Sequence, residues 1–348
     1  MDTPTSPEVA LRTEASSTNL AAARDSAMLE FTRLADNRVT LTPYVTPIHK
    51  LTGFSARLGR DIWVKRDDLT GIALGGNKAR KMEFVLAEAR AQKADALITV
   101  GGPQSNHART VASCAAVEGM SAHLVLGGQR PAHISGNLVL DTLFGAELHF
   151  ADHLELAHLE HVAAEVQATL ESRGANPYYV DLGGSTATGT LGYAAAYFEA
   201  KEQFADFGME IPEIVVASGS GGTQAGLELG KWLAGDNTEI TGVQVADFYP
   251  DFGARIGNLI SRSAQKLGGE ITQPQPHVVS SQLGTGYGVE SSESRLALEV
   301  AARTDGLVLD PVYTSKAFAA LAHTPGTGPL LFWHTGGAPA LFGSQFEL

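Results

Sequence analysis

Short apolar runs recur along this chain between stretches with helical spacing. Ala96–Val100, Ala122–Leu126, Ile214–Ala217, Ile240–Val245, Gly306–Leu309 and Leu330–Trp333 are rich in Val, Ile and Leu, and most are bounded by glycine. That is the pattern of parallel strands buried on both faces. Between them, Met82, Val85, Leu86 and Ala89 fall at i, i+3, i+4 and i+7, as do Leu159, Val162, Ala163, Val166 and Leu170 in a similar register. Each set makes one face of an amphipathic helix. Strand and helix alternating this often predicts an α/β chain with doubly wound, mostly parallel sheets, and ligands at the carboxyl ends of the strands. No internal repeat or low-complexity linker separates the segments. The two domains expected for 348 residues therefore interleave rather than follow in series.

Composition narrows the function. Hydrophobic residues at 44% and charged ones at 18% suffice for a large core. With 38 acidic against 25 basic side chains the net charge is −13, which argues against nucleic acid and anionic membranes as partners. No apolar run reaches the roughly 18 residues of a membrane span. The lone Cys114 makes neither an internal disulfide nor a zinc-thiolate site, and no metal is expected. Met1 to about Asp36 has neither the apolar core of a signal peptide nor the Arg-rich character of a transit peptide. It reads as a frayed tail with a short helix near Ala27–Leu34, in a cytoplasmic protein whose folded body starts near Thr42-Pro43 and Thr46-Pro47.

The glycines carry the chemistry. Ser218-Gly219-Ser220-Gly221-Gly222-Thr223 follows a predicted strand and opens the predicted helix Gln224–Leu233. Bare amides, hydroxyls and a helix N-terminus make a phosphate cradle, although a tight turn alone would also use small residues. The dinucleotide pattern G-x-G-x-x-G fails because Gln224 stands where its third glycine belongs, while Asp247 keeps a nicotinamide-dependent oxidoreductase open as a rival. The mononucleotide loop fails too, since Asn77 intrudes before Lys78 and Ala79 replaces the required hydroxyl. In Gly75-Gly76-Asn77-Lys78, the lysine begins a helix beside a flexible glycine pair. Lysines are disfavoured at a helix N-terminus, so Lys78 and Lys81 together point to a bound anion. A phosphate plus a Schiff-base lysine describes pyridoxal phosphate. Gly101-Gly102-Pro103-Gln104-Ser105-Asn106-His107 follows another strand and suits a carboxylate, with Ser105 either a proton carrier or simply a helix cap.

At this point the sequence resembles a known family. Trp63–Gly71 (WVKRDDLTG) and Gly75–Glu83 (GGNKARKME) are similar to the D-cysteine desulfhydrase / 1-aminocyclopropane-1-carboxylate deaminase family, and so are Gln104–Arg109, Ser218–Thr223, Asp310–Thr314 and His334–Phe342. The blocks keep the family's order over about residues 42–343. The resemblance implies a tryptophan-synthase-β-like (fold type II) pyridoxal phosphate enzyme, homodimeric, with two interleaved three-layer α/β domains. Residues 39–79 and 186–348 would form the larger, cofactor-binding domain and 80–185 a smaller inserted one, with 1–38 a disordered or loosely attached tail.

The resemblance also implies roles. Lys78 would be the Schiff-base lysine. Lys81 with Gly219, Ser220, Gly221, Gly222 and Thr223 would hold the phosphate, and Asn106 would bond the pyridine 3-hydroxyl. Tyr313 would stack on the ring and Thr335 would meet its nitrogen. Ser105, Asn106, His107 and Tyr287 would contact a small amino-acid substrate, with Ser105, Tyr287 and Tyr313 the catalytic candidates beside Lys78. Deaminases of the family carry Glu where this chain has Thr314, and lack a hydroxyl at Thr335. A hydroxyl leaves the pyridine nitrogen neutral, which favours β-elimination over ring opening. The expected activity is therefore that of a lyase of the D-cysteine desulfhydrase kind, with ring deamination, β-replacement or a non-catalytic binding protein as alternatives. The chain departs from the family at Val289-Glu290-Ser291, at Ser315 and over Gln244–Asp251. Its His153, His158 and His161 lie among acids and read as a solvated face, and Cys114 as a small buried hydrophobe. Arg109 could serve a substrate carboxylate, but one turn into a helix it reads rather as bridging to a neighbouring acid.

Overall fold

The structure, a computed structural model, describes the backbone of residues 7–343 and the side chains of residues 21–343. It contains two sheets. The larger orders its strands β1-β2-β10-β7-β8-β9, from β1 (Ile48–Lys50), β2 (Ile62–Arg66), β7 (Glu213–Ser218), β8 (Ile240–Gln244), β9 (His277–Val279) and β10 (Leu330–His334). Only the short edge strand β1 runs antiparallel. The smaller sheet is wholly parallel, in the order β5-β4-β3-β6, from β3 (Ala96–Gly101), β4 (Ser121–Gly127), β5 (Glu147–Ala151) and β6 (Pro177–Val180). The expected run Gly306–Leu309 is not a strand. Leu307 and Leu309 are buried in the core but approach it as irregular chain between helices.

Eleven helices cover the sheets: α1 (Pro7–Asp36), α2 (Thr52–Leu58), α3 (Lys78–Ala91), α4 (Asn106–Glu118), α5 (Asn137–Leu143), α6 (Leu156–Ser172), α7 (Leu191–Asp206), α8 (Gly222–Ala234), α9 (Phe252–Lys266), α10 (Ser292–Asp305) and α11 (Thr314–Leu321). The period of two along each strand sends alternate residues to opposite layers. In the large sheet, Val215, Leu330 and Phe332 pack on α2, α10 and α11, while Ile214, Val216, Leu331 and Trp333 pack on α7 and α8. In the small sheet, Leu97 and Leu124 face α3 and α4, while Ile98, Val100 and Val125 face α6. Both sheets are three-layered.

The amino-terminal segment corrects the expectation of a loose tail. Residues 1–6 lie outside those described, but Pro7–Asp36 is one helix, and Ala27 and Phe31 are buried against Phe84, Leu191 and Leu229. The cause is an apolar stripe, Ala27-Phe31-Leu34, that finds a partner surface on α7 and α8.

Behind the first residue of α3 the core is ionic. Asp67, fully buried, accepts hydrogen bonds from Thr46, Arg80, Tyr193 and the Trp333 indole, at 2.7–2.9 Å. Arg80 also bonds Glu199, which meets Lys65 at 2.5 Å. Arg80 and Lys65 hold the Asp67 carboxyl at about 2, against the penalty of its burial. This network ties β2, α3, α7 and β10 together and fixes where Lys78 emerges.

Candidate active site

A cavity of about 850 Å³, its mouth included, lies between the carboxyl ends of the two sheets, where ligands of such sheets gather. Lys78 opens α3 at its wall, its Nζ 2.9 Å from Asn77 Oδ1. Enclosure and the nearby Arg109 guanidinium lower the Lys78 amine to about 8, only partly opposed by Asp310. About a tenth of the amine is therefore neutral and nucleophilic at pH 7, far more than for an ordinary lysine. The loop before it has no choice of residue. Gly75 adopts φ +73°, and a Cβ there would collide with the Asp68 carbonyl. Asn77 is tied across the cavity, its N–H donating to Thr335 O at 3.0 Å and its Nδ2 to Thr223 Oγ1 at 2.9 Å.

The Ser218–Thr223 loop follows β7 and opens α8, one residue pair earlier than the predicted start at Gln224, with Gly221 at φ +86° as the helix cap. Ser218, Gly219, Ser220, Gly221 and Thr223 line the cavity, while Gly222 lies behind them with Lys81. Lys81 stands behind them, buried and donating to Gly183 O at 3.1 Å and Ser185 Oγ at 3.3 Å. Burial, Lys78 and Arg255 all push its amine well below the usual lysine range, and no carboxylate contributes. Sequence reasoning missed three participants here. Ser185 Oγ accepts from Gly222 N at 3.2 Å and pairs with Ser220 Oγ at 2.8 Å. Gly183 turns the chain at φ +70° against Ser220. Arg255 donates to Ser185 O at 3.1 Å. The run Gly183-Gly184-Ser185-Thr186 after a short strand was the available signal.

On the small-sheet side, Ser105 caps α4, accepting from Ala108 N at 3.1 Å, and still lines the cavity with Asn106 and His107. The helix-cap reading of Ser105 is observed, and its place in the lining keeps the proton-carrier reading open. Asn106 Oδ1 accepts from buried Asn137 Nδ2 at 3.1 Å, leaving its amide N–H₂ free to donate. His107 Nε2 meets Thr99 Oγ1 at 2.9 Å, and the Thr99 proton goes to Val180 O. Nε2 therefore carries the imidazole proton and Nδ1 is the acceptor. Burial and the two lysines keep His107 neutral, its pKa well below the usual value.

Tyr287 and Tyr313 close the cavity, their hydroxyls 2.7 Å apart. Tyr313 lies beside Gly219, where a Cβ would sit 3.5 Å from its ring. Thr335 follows β10 into the cavity wall. Thr314 does not share that position. It is fully buried, its hydroxyl donating to Asp310 Oδ1 at 2.6 Å and accepting from Asp310 N. Among the described lining residues there is no Asp or Glu. Asp247 is exposed and outside the lining, so a dinucleotide ribose has no acidic partner there. Arg109 has no direct ion pair among the described residues, but the charges of Asp141 and Asp310 act on it, as expected of a neighbouring acid. It is buried and donates to Gly75 O at 3.1 Å. His161 meets Glu165 at 3.5 Å with both side chains exposed, on the solvated face expected for it, and Cys114 is buried with its thiol pKa raised by desolvation.

Comparison with known proteins agrees with this geometry. The family model "Pyridoxal-phosphate dependent enzyme" matches residues 39–336. Proteins of Pyrococcus abyssi and Pyrococcus horikoshii, each named "Putative 1-aminocyclopropane-1-carboxylate deaminase", are 38% identical over 309 residues, covering 88% of this chain and 93% of theirs. A crystal structure described as an ACC deaminase homologue superposes with TM-score 0.84 at 36% identity, over 90% of this chain and 96% of that one. The serine racemase of Dictyostelium discoideum shares the fold at TM-score 0.64 and 13% identity, over 89% and 97%. The chain belongs to the pyridoxal-phosphate dependent enzyme family.

Proposed function

We propose that this enzyme removes a good leaving group from the β-carbon of a small amino acid, with D-cysteine favoured and pyruvate, ammonia and sulfide released. The family uses pyridoxal 5′-phosphate, and the cavity fits it. Half-buried Lys78 and buried Lys81 lack a carboxylate in contact, which suits an incoming phosphate. The glycine cradle supports this. A Cβ on Gly222 would strike Ser185 Oγ and come within 2.9 Å of Lys81 Nζ. Lys81, Ser185, Ser220, Thr223 and the α8 amides would hold the phosphate, Lys78 the aldehyde carbon, Asn106 the ring hydroxyl and Thr335 the ring nitrogen. When bound, the cofactor supplies an electron sink for the bond broken at the substrate α-carbon.

The remaining work falls to the chain itself. The α4 amino end, with Ser105 and Asn106, receives the substrate carboxylate. Lys78, lowered to about 8, takes up the α-proton. Of the two hydroxyl protons of Tyr287 and Tyr313, one bridges the pair and the other remains for the cavity. Leu154 and Phe248 limit water at the mouth.

The observation that carries elimination over ring opening is Thr335 in a cavity wall without an acid. Thr314, spent on Asp310, adds nothing to that choice. The names of the Pyrococcus relatives favour a second reading, deamination of 1-aminocyclopropane-1-carboxylate to 2-oxobutyrate. Incubating the holoenzyme with D-cysteine, L-cysteine and the cyclopropane substrate, and identifying the oxo acid formed, separates the two. Pyruvate from cysteine with the cyclopropane compound inert is expected. Efficient 2-oxobutyrate production with cysteine inert would overturn the proposal. A cytoplasmic homodimer, expected from the resemblance, belongs to the same reading, and light scattering tests the assembly.

A further inference from the structure

The amino ends of β4 and β5 carry a second cluster of ligating side chains. The register sets His123 opposite Glu147 and Val125 opposite His149, so His123, Glu147 and His149 share one face of the sheet. His123 Nδ1 lies 3.3 Å from His149 Nε2 and 3.5 Å from Glu147 Oε2, and His149 Nε2 lies 3.7 Å from Glu147 Oε1. Two imidazole nitrogens and a carboxylate oxygen, each bound at about 2.0–2.2 Å to one tetrahedral ion, stand roughly 3.3–3.5 Å apart. One nitrogen from each ring and one carboxylate oxygen lie within 4.8 Å of one another, and the two rings approach different oxygens of Glu147, Oε2 and Oε1, so a small rotation of this exposed carboxylate brings one oxygen to both.

A hydrogen bond between the two rings explains only the first side. The carboxylate distances of 3.5 and 3.7 Å are too long for hydrogen bonds. The outer contacts also fit a ligand set. His123 Nε2, the nitrogen facing away from the triangle, is 3.3 Å from Ser121 Oγ, the kind of partner that fixes the ring of a ligating histidine. His123 is buried. Glu147 is two-thirds exposed and leaves solvent access for a further ligand. Arg173, past the end of α6, opposes a cation here, while Glu147 offsets it.

We propose that His123, His149 and Glu147 bind one divalent transition-metal ion of the zinc class, with solvent completing the coordination. Imidazole with carboxylate selects zinc, cobalt, nickel or copper over magnesium and calcium. The ion would fasten edge strand β5 to β4. Through the pairing of His123 with Ile98, the site lies about four strand residues, roughly 13 Å, from Gly102 at the cavity. Its role is therefore to stabilise the small sheet, not to take part in turnover.

The test is calorimetric titration of tag-free, chelator-washed holoenzyme with Zn²⁺, with Mg²⁺ as control. One equivalent of zinc should bind, magnesium should give no heat, and the melting temperature should climb with zinc concentration. His149→Ala should weaken zinc about 100-fold and Glu147→Gln about 10-fold, the order expected for loss of a nitrogen and of an exposed oxygen ligand. Both variants lie on a partly exposed edge strand and outside the cavity, so metal-free turnover and melting should match the parent. Unchanged zinc affinity in the His149→Ala, Glu147→Gln double variant would overturn the assignment and move the ion to other histidines. Failure of the parent to bind zinc at millimolar concentration would overturn it equally.

Discussion

Two groups of buried charges lie on either side of the start of α3, and they are built on opposite principles. Around Asp67 each charge has its partner: Arg80, Glu199 and Lys65 alternate in sign and every contact is direct. Around Lys78 the sign does not alternate. Lys78, Lys81 and neutral His107 are packed together; beyond burial, Lys78 depresses the proton affinity of Lys81, and both lysines depress that of His107. The first group stabilises the apoprotein, since its desolvation is offset by charge pairing. The second costs the apoprotein stability and recovers it when an anion arrives. The difference separates residues that make the fold from residues that wait for a ligand.

The comparison breaks most sharply at Lys78. Lys78→Ala should lower turnover by on the order of 10⁴-fold, about 5.5 kcal/mol, and abolish borohydride-trapped attachment of the cofactor, while circular dichroism stays unchanged. Attachment that persists, mapped to another lysine by mass spectrometry, would remove Lys78 from its place.

Asp67→Asn should act on stability instead, costing about 3–5 kcal/mol by leaving Arg80 underpaired, as read from urea unfolding. The parent also has an acid limb. The folded carboxyl titrates at about 2 against about 3.9 unfolded, so this stabilisation is full above pH ~4 and is lost as pH falls toward 2. By linkage the limb is worth roughly 2–3 kcal/mol. The Asn variant should lack it, and an identical acid limb in both proteins would deny Asp67 this role.

Lys81→Met sharpens the contrast with the smallest effect. Cofactor affinity should fall about 100-fold, near 2.7 kcal/mol, yet the cofactor-free protein should melt at a higher temperature because a buried, unpaired amine is gone. A variant that loses apoprotein stability would place Lys81 with the fold-making charges.

Much of this division was legible in the sequence, and the failures have physical causes. The glycine loops at Gly75, Gly101 and Gly219 were legible because backbone approach to a ligand demands small residues at strand ends. Ser185 and Arg255 were not, since their meaning depends on tertiary contact with a loop far along the chain. Thr314 was read as a position that separates the family's branches, but it spends its hydroxyl on Asp310, a local hydrogen bond that spacing alone does not reveal. Gly306–Leu309 carries strand-like residues yet has no neighbour to pair with, because β10 takes the place between β2 and β7.

That placement has a consequence for the making of the protein. β10 is the last strand among the described residues and sits in the interior of the large sheet, paired on one side with β2 and on the other with β7. Until residues 330–334 leave the ribosome, β2 has no parallel partner and Thr335 is missing from the cavity. At roughly 5–20 residues per second, the interval between synthesis of β2 and of β10 is on the order of 15–50 s. During that time the growing chain carries an open sheet edge and an unfinished cofactor pocket. A long-lived open sheet edge and the late completion of the cavity wall both follow from the position of one strand.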